Sequence, residues 1–205
     1  MVKILIVDDH KIVCDSLKEA FSGVSGFKVI ETLSDSSLVD LYCEKLHPDL
    51  VLMDVCTEGG SSGLEATRKV LEGFPDTKVI VMTGFDEVTY CKRAREAGAQ
   101  GFVYKTNSFD YFVDVAKKVM AGETCFPEPR TLPVASGESP LTKREMEILR
   151  LSCKNMTGKE IAAELGIEER TVKFHRQNML AKTGKKNIHE LIFYVITNGW
   201  INPNY

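Results

Sequence analysis

The sequence lacks any apolar run long enough to cross a membrane. Its longest apolar runs are Ile4–Val7, Val79–Met82 and Leu191–Ile196, whereas a spanning helix needs about 18 apolar residues or more. The first ten residues, MVKILIVDDH, turn acidic where a signal peptide would continue into a longer apolar core and a small-residue cleavage site. We therefore expect a cytoplasmic protein that is neither secreted nor bound to a membrane.

The cysteines show no spacing typical of a metal site or a redox motif. None forms a C-x-x-C pair, and their even number is only a weak sign of disulfides in a chain of 205 residues without a signal peptide. We expect reduced thiols that mostly pack as small core residues. The six are Cys14, Cys43, Cys56, Cys91, Cys125 and Cys153.

The net charge is small, but the charges are unevenly distributed along the chain. The 26 Lys and Arg and the 29 Asp and Glu give a net charge of −3. Residues 1–124 contain 14 basic and 20 acidic side chains, a net charge of −6, whereas residues 140–205 contain 11 and 7, a net charge of +4. This asymmetry predicts two modules, of which the second faces a polyanion.

Residues 1–123 alternate short apolar runs with stretches of helical periodicity. Runs this short and rich in β-branched residues are typical of strands buried on both faces of a parallel sheet. Five strand-then-helix repeats predict an α/β domain with a doubly wound, five-stranded parallel sheet. The predicted strands are Lys3–Val7, Lys28–Thr32, Leu50–Asp54, Lys78–Met82 and Gly101–Tyr104. The predicted helices are His10–Phe21, Ser36–Leu46, Leu64–Phe74, Asp86–Ala97 and Ser108–Ala121.

The rest of the chain is predicted to be a linker followed by a small all-α domain. The segment from Thr124 to Pro140 holds four of the seven prolines and has no periodicity, which predicts a linker over residues 124–139. Residues 140–205 contain four helical segments, and a short helix, a turn at Gly166 and a longer helix form a helix-turn-helix layout. The four segments are Thr142–Cys153, Thr157–Leu165, Glu168–Lys182 and Asn187–Asn198.

Polar residues end the predicted strands at one edge of the sheet. Asp8 and Asp9 follow the first strand, Asp54 ends the third, Thr83 follows the fourth and Lys105 follows the fifth. Sites in open parallel sheets form at the carboxyl ends of the strands, although a lone aspartate there often only caps the next helix. Neighbouring carboxylates resist ionising together, and Mg²⁺, a hard cation that takes oxygen ligands, relieves this repulsion. Asp54 is then predicted to act as a nucleophile toward a phosphoryl donor, with Mg²⁺ and Lys105 balancing the developing charge.

The motifs VDDH, LVLMD, MTG and YKT at these strand ends resemble those of the receiver domain of two-component response regulators. The resemblance covers residues 1–121 and implies a flavodoxin-like receiver that is phosphorylated on Asp54 by a histidine kinase. It further implies that Thr83 is the switch hydroxyl, Phe102 the switch aromatic residue and Lys105 the lysine of the family. The metal ligands that it implies are Asp8, Asp9, Asp54 and the backbone carbonyl of Cys56.

The loop after Asp54 departs from the family pattern. Family members usually continue with a Met-Pro turn and then a glycine, whereas Val55–Gly63 is one residue longer and lacks that proline. Its glycines increase the conformational freedom of the loop, and Glu58 adds a carboxylate near the metal. Two interpretations stay open: a harmless insertion of the kind that loops tolerate, and an altered rate of phosphorylation or dephosphorylation.

Residues 140–205 resemble the LuxR-type helix-turn-helix domain of the NarL/FixJ regulators. The segments LTKREMEILRL, KEIAAELGI and ERTVKFHRQNMLAKTG carry the resemblance. Because the second helix of such a motif fits the major groove, we expect Lys173 and Gln177 to read bases and Phe174 to meet a thymine methyl group. Gln177 as a merely solvated residue and His175 as a partly buried structural residue also remain open. The predicted phosphate contacts are Thr171, His175, Arg176, Lys182 and Lys143.

Three functional hypotheses follow. The leading one is a transcriptional regulator that binds promoter DNA, forms a homodimer when phosphorylated, and reads the phosphoryl group through Thr83 and Phe102, which bias a surface around Val88–Gly101. The second is a DNA-binding protein whose receiver is only a scaffold, and the third is an enzyme such as a phosphohydrolase with an aspartyl nucleophile.

The last predicted helix carries an apolar stripe that packs within its domain or contributes to a dimer. The stripe consists of Ile188, Leu191, Ile192, Val195 and Ile196.

Overall fold

The computed structural model describes residues 1–57, 60–84, 89–128 and 132–203. The described residues form two compact units, of which the first ends at Glu128. The first unit combines a sheet with helices and the second consists of helices, as the sequence predicts. None of the helices among these residues is long and apolar enough to cross a membrane.

A five-stranded parallel sheet forms the centre of the first unit, with the strand order β2-β1-β3-β4-β5. The order reverses between β1 and β3, which places a topological switch point at their carboxyl ends. The segment LVLMD is buried along its whole length because it lies in the middle of the sheet between two helical layers. The predicted doubly wound fold is therefore confirmed. The strands are β1 (Val2–Val7), β2 (Phe27–Leu33), β3 (Leu50–Asp54), β4 (Lys78–Thr83) and β5 (Gly101–Tyr104).

The helices of the first unit pack as two groups. Helix α1 contacts α5, whereas α2 contacts α3 and α3 contacts α4. The predicted helix Ser36–Leu46 begins as a 3₁₀ turn (Ser36–Leu38), in which the Asp35 side chain accepts the N–H of Ser37. The predicted start of the fourth helix, residues 86–88, lies outside the described residues. The helices are α1 (Lys11–Ser22), α2 (Val39–Leu46), α3 (Gly63–Gly73), α4 (Tyr90–Glu96) and α5 (Phe109–Met120).

The second unit contains a helix-turn-helix. Thr142 and Thr157 begin α6 and α7 with capping boxes that use Glu145 and Glu160. Gly166 has a φ of +61° in the turn that follows α7, a conformation that favours glycine. The helices are α6 (Lys143–Cys153), α7 (Gly158–Glu164), α8 (Glu169–Thr183) and α9 (Ile188–Thr197).

Both ends of the predicted linker are packed against a unit. Cys125 pairs with β5 through two backbone hydrogen bonds, to Gln100 and Phe102. Leu132 is 5% exposed and belongs to the core of the second unit, and the N–H of Ala135 donates to the carbonyl of Lys182 at 2.7 Å. Despite its prolines, the segment is therefore structured on both sides of residues 129–131, which lie outside the described part of the chain.

Candidate functional site

The carboxyl ends of β1, β3 and β5 bring Asp8, Asp54 and Lys105 together, as the sequence predicts. The Lys105 Nζ lies 2.8 Å from Asp54 Oδ2 and 2.8 Å from Asp8 Oδ2. Both carboxylates are almost completely buried, Asp8 being 2% and Asp54 3% exposed. One ammonium group is therefore shared between two buried carboxylates.

The electrostatics of this cluster favour binding of additional positive charge. Burial raises the pKa of the Asp54 carboxyl to about 6; Lys105 opposes this rise, and the charges of Asp8 and Asp9 add to it. Although burial alone would lower the pKa of Lys105, its contacts with Asp54 and Asp8 raise it above the ordinary value. Lys105 thus stays charged. The negative charge of Asp8, Asp9 and Asp54 together is greater than its single positive charge can neutralise.

Asp9 and His10 join Asp8 and Asp54 in a group that fits a divalent cation. One ligand atom from each of the four residues lies within 4.8 Å of those of the others. Asp8 Oδ2 is enclosed, and its partner is the Lys105 ammonium group at 2.8 Å, which also serves Asp54. Because one ammonium group cannot offset two buried carboxylates, a further cation would stabilise the group, and a set of carboxylate oxygens is what Mg²⁺ prefers.

His10 is a site residue that the sequence analysis missed. Its Nδ1 lies 2.7 Å from Asp9 Oδ1 and 3.2 Å from Asp8 Oδ1, and its backbone N–H donates to Asp8 Oδ1 at 2.9 Å. The side chain is largely exposed. Its place directly after the two aspartates was the signal that could have identified it.

Thr83 and Phe102 lie in the interior beside this cluster. Thr83 is fully buried at the end of β4, and its carbonyl accepts the N–H of Lys105 at 2.7 Å. In the register of β4 with β5, Val81 pairs with Phe102 and Thr83 with Tyr104. Because side chains two apart share a face of a strand, Thr83 and Phe102 lie on the same side of the sheet. Phe102 is almost completely buried and meets the Tyr104 ring edge-on at 5.2 Å between centroids.

The loop after Asp54 is anchored at both ends. Thr57 is buried, and its hydroxyl donates to Ser36 Oγ at 2.8 Å and accepts the Ser36 N–H at 3.0 Å. A Cβ on Gly63 would lie 1.8 Å from the Asp54 carbonyl oxygen, so only glycine fits there. The predicted metal ligand Cys56 bridges Ser62 through its backbone, and the metal role of its carbonyl stays a prediction. Glu58, predicted to lie near the metal, is outside the described residues.

Helix α8 presents one exposed stripe. At about 100° per residue, positions 170, 173, 174 and 177 share one face, opposite the buried Val172 and Met179. Arg170, Lys173, Phe174 and Gln177 are all exposed. The three residues predicted to contact bases therefore project together into solvent. Of the predicted phosphate contacts, Lys143 is exposed and Thr171 is partly exposed.

Arg170 is a second residue that the sequence analysis missed. It lies three residues before Lys173, on the same exposed stripe of α8. Its Nε is 2.5 Å from Glu168 Oε2, and its Nη2 donates to Glu168 Oε1 at 3.2 Å. The helical spacing from Lys173 and Gln177 was the available signal.

The structure gives Arg176 partners within the protein, and its contact with phosphate stays a prediction. Its Nη2 donates to Ser152 Oγ at 3.0 Å and to the Met156 carbonyl at 3.4 Å, and burial lowers the pKa of the guanidinium. Arg176 therefore fastens α8 to the end of α6. His175, beside it, is half-buried, and its enclosed Nδ1 has no hydrogen-bond partner among the described residues, which favours the structural interpretation of this residue.

Lys182 also has partners within the protein, and its contact with phosphate stays a prediction. Its Nζ lies 2.8 Å from Glu145 Oε2 and 3.3 Å from the Pro140 carbonyl. Glu145 is 2% exposed; burial raises the pKa of its carboxyl, but hydrogen bonds from Lys182 and Thr142 lower it below the ordinary value. Lys182 therefore neutralises a buried carboxylate.

The chain is similar to known families over both units. Residues 4–117 match the family described as "Response regulator receiver domain", and residues 139–195 match "Bacterial regulatory proteins, luxR family". The oxygen regulatory protein NreC of Staphylococcus epidermidis is 31% identical over 213 residues, which cover 95% of this chain and 97% of NreC.

Two solved structures illustrate the similarity of fold. A two-component response regulator of the LuxR family from Aurantimonas sp. is 26% identical, with a TM-score of 0.59 over 62% of this chain and 91% of that one. RcsB from Salmonella enterica serovar Typhimurium, bound to a promoter in the presence of the phosphomimetic BeF₃⁻, is 20% identical. Its TM-score is 0.65 over 95% of this chain and 98% of RcsB.

Proposed function

Because this chain belongs to the response regulators that join a receiver domain to a luxR-type DNA-binding domain, we propose that phosphorylation of Asp54 switches promoter binding by the second domain. Members of this family are regulators of transcription and not enzymes, which sets aside the phosphohydrolase hypothesis. The observation that carries the proposal is the pairing of the buried Asp54 carboxylate with Lys105 at 2.8 Å.

We assign the receiver to residues 1–123, the linker to 124–139, the DNA-binding domain to 140–205, and the protein to the cytoplasm.

Asp54 is the nucleophile in the proposed reaction with a histidine kinase. A carboxylate oxygen of Asp54 attacks the phosphorus of a phosphohistidine, the P–N bond breaks, and the imidazole leaves with the bonding pair and takes up a proton. Lys105 stays beside Asp54 and stabilises the negative charge on the transferred oxygens. The hydroxyl of Thr83 donates to a phosphoryl oxygen, and Phe102, on the same side of the sheet, follows the movement of Thr83.

Mg²⁺ is the cofactor that this site fits. Asp8, Asp9, Asp54 and the carbonyl of Cys56 would hold it, and His10 orients Asp9 through its Nδ1 contact. When bound, the cation offsets the charge of the phosphoryl oxygens. The carboxylates would hold the cation, and Lys105, whose charge lowers the pKa of Asp54 against the effect of burial and of Asp8 and Asp9, favours its nucleophilic, ionised form.

The exposed stripe of α8 is the proposed base-reading surface. Lys173 and Gln177 reach hydrogen-bonding edges of bases, and Phe174 meets a thymine methyl group. Arg170 lies nearer the amino end of the same stripe and is well placed to bind DNA through its guanidinium. Among the residues predicted from sequence to contact phosphate, the exposed Lys143 and the partly exposed Thr171 are the ones that we propose for this role.

Replacing Lys173 by Ala is expected to weaken promoter binding by the full chain by about 1–3 kcal/mol and to relax its sequence preference, because a base contact is lost. Affinity measured by fluorescence anisotropy on a promoter and on scrambled DNA, over a range of salt concentrations, checks this. Lys28→Ala, an exposed lysine on β2, is the matched control. Equal weakening by both variants would contradict the assignment.

We also propose that the regulator binds DNA as a homodimer through α9. The apolar stripe predicted there divides in two: Leu191 and Val195 are buried in the domain core, whereas Ile196 is 36% exposed and the neighbouring Phe193 is 71% exposed. Exposed apolar surface of this kind on a short helix marks an interaction site. A two-fold contact through α9 would suit a promoter made of two half-sites.

Replacing Phe193 by Asp is expected to remove the dimer on DNA, because a charge would be buried at the two-fold contact. Analytical ultracentrifugation of the phosphorylated protein on a palindromic site measures the number of chains per duplex. Ile12→Asp changes an apolar residue of the other unit that is 82% exposed and serves as control. One chain per duplex for the unchanged protein, at saturating concentrations, would contradict the proposal.

The scaffold hypothesis remains the alternative, and the loop after Asp54 is its support. Incubation of the full chain with acetyl phosphate and Mg²⁺, followed by intact-mass measurement and a promoter-binding titration, separates the two. A phosphoryl mass gain with tighter promoter binding is expected. Promoter binding without any mass gain would instead establish the receiver as a scaffold.

A further inference from the structure

The chain leaves the first unit through a short segment that extends the sheet. β5 is an edge strand, and edge strands present unpaired backbone groups. The N–H of Phe102 donates to the Cys125 carbonyl at 2.9 Å, and the N–H of Cys125 donates to the Gln100 carbonyl at 2.8 Å. Cys125 therefore pairs with the edge of the strand that carries Phe102, and residues Cys125–Pro127 are here called the strap.

The strap also contacts α4. The Arg95 guanidinium carbon lies 4.4 Å from the centroid of the Phe126 ring, and the Cys91 thiol lies 3.9 Å from the Pro127 carbonyl oxygen. Cys91 and Arg95 are four residues apart and therefore lie on the same side of α4. The strap thus joins β5 to α4 through side chains as well as through the backbone.

From these contacts we propose that the strap is a releasable tether. It rests on the edge of β5 when Asp54 is unphosphorylated, and it detaches when phosphorylation moves Phe102. The proposal rests on the proposed function, because it takes the phosphoryl group on Asp54 as its trigger. The physical link is direct: the backbone of Phe102, whose side chain lies on the same side of the sheet as Thr83, supplies one of the two strap hydrogen bonds.

Detachment lengthens the connection between the two units. Leu132 is packed in the core of the second unit, and only residues 128–131 separate it from the strap. Each released residue adds up to about 3.5 Å of reach. Release of the strap therefore gives the DNA-binding domain freedom to pair with that of a second chain on promoter DNA.

Hydrogen exchange of the full chain, with and without acetyl phosphate and Mg²⁺, tests the proposal after intact mass has established whether Asp54 is phosphorylated. Exchange at the N–H groups of Phe102 and Cys125 is expected to accelerate on phosphorylation. The N–H of Gln100, bonded to Val79 on β4 at 2.9 Å, is the internal control and should stay protected. Phosphorylation without faster exchange at Phe102 and Cys125 overturns the strap proposal alone, whereas no phosphoryl mass gain contradicts the proposed function and removes the trigger.

A second comparison does not depend on phosphorylation. Arg95→Ala removes the cation–π contact with Phe126 and is expected to accelerate exchange at Cys125 about two- to fivefold, the factor corresponding to such a contact at an exposed site. Lys92→Ala removes an equal charge from the same helix, where Lys92 pairs with Glu96, and should leave this exchange unchanged. Equal exchange in Arg95→Ala and the unchanged protein also overturns the proposal.

Discussion

Replacing Asp54 by Asn is expected to abolish phosphoryl transfer to the receiver from acetyl phosphate in the presence of Mg²⁺. The amide has nearly the same size and keeps a contact with Lys105, but it lacks the nucleophilic carboxylate oxygen. Intact-mass measurement after incubation gives the stoichiometry directly. The same variant in full-length form should bind promoter DNA with the affinity of the unphosphorylated protein and should not respond to the phosphodonor.

Asp110→Asn is the matched control for this experiment. Asp110 is an exposed acid in the first turn of α5 and lies outside the cluster of Asp8, Asp9 and Asp54, so its amide variant should be phosphorylated normally. Labelling of the Asp54→Asn variant at near-normal stoichiometry would show that another residue accepts the phosphoryl group. The order of events proposed for Thr83 and Phe102 would then be wrong as well.

The phosphorylation site is predictable from sequence because strand ends in a parallel sheet share one edge. LVLMD has no alternation of polar and apolar residues, which marks a strand buried on both faces and fixes Asp54 at its end. Lys105 is identified in the same way after GFVY. The chain order of the strands does not show that Asp8 and Asp54 share a single ammonium group, because this depends on side-chain distances across the sheet.

The sequence predicts that Arg176 points toward the core of its domain. It does not predict that Lys182 does so. Arg176 is four residues after Val172 and three before Met179, and both of these are buried, so helical spacing alone places it near the core. The partner of Lys182 is Glu145, which is 37 residues away in the chain. Periodicity identifies the faces of a helix, but it does not identify a partner on another helix.

The strap escaped the sequence analysis for a different reason. Prolines at positions 127 and 129 indicated a linker, and proline does disfavour regular structure. Cys125 nevertheless joins the sheet through backbone groups, which every residue except proline can supply in full. A single residue paired at a sheet edge leaves no periodic pattern to detect.

Replacing Lys182 by Met is expected to destabilise the DNA-binding domain by about 3 kcal/mol, because Glu145 would remain buried without its charged partner. Chemical denaturation of the full chain, followed by the fluorescence of Trp200 in the second unit, measures the change. DNA affinity under conditions where the domain stays folded should fall little. This pattern is the opposite of that expected for Lys173→Ala, which leaves stability unchanged and weakens promoter binding.

The double variant Lys182→Met with Glu145→Gln distinguishes the loss of an ion pair from the loss of packing. The amide introduced by Glu145→Gln carries no charge and can still accept the N–H of Thr142, so it preserves the capping box at the start of α6. Most of the lost stability should therefore return in the double variant. If Lys182→Met instead unfolded at the same denaturant concentration as the unchanged protein and bound all DNA sequences more weakly, Lys182 would be a phosphate contact. The buried carboxylate of Glu145 would then need another source of stabilisation.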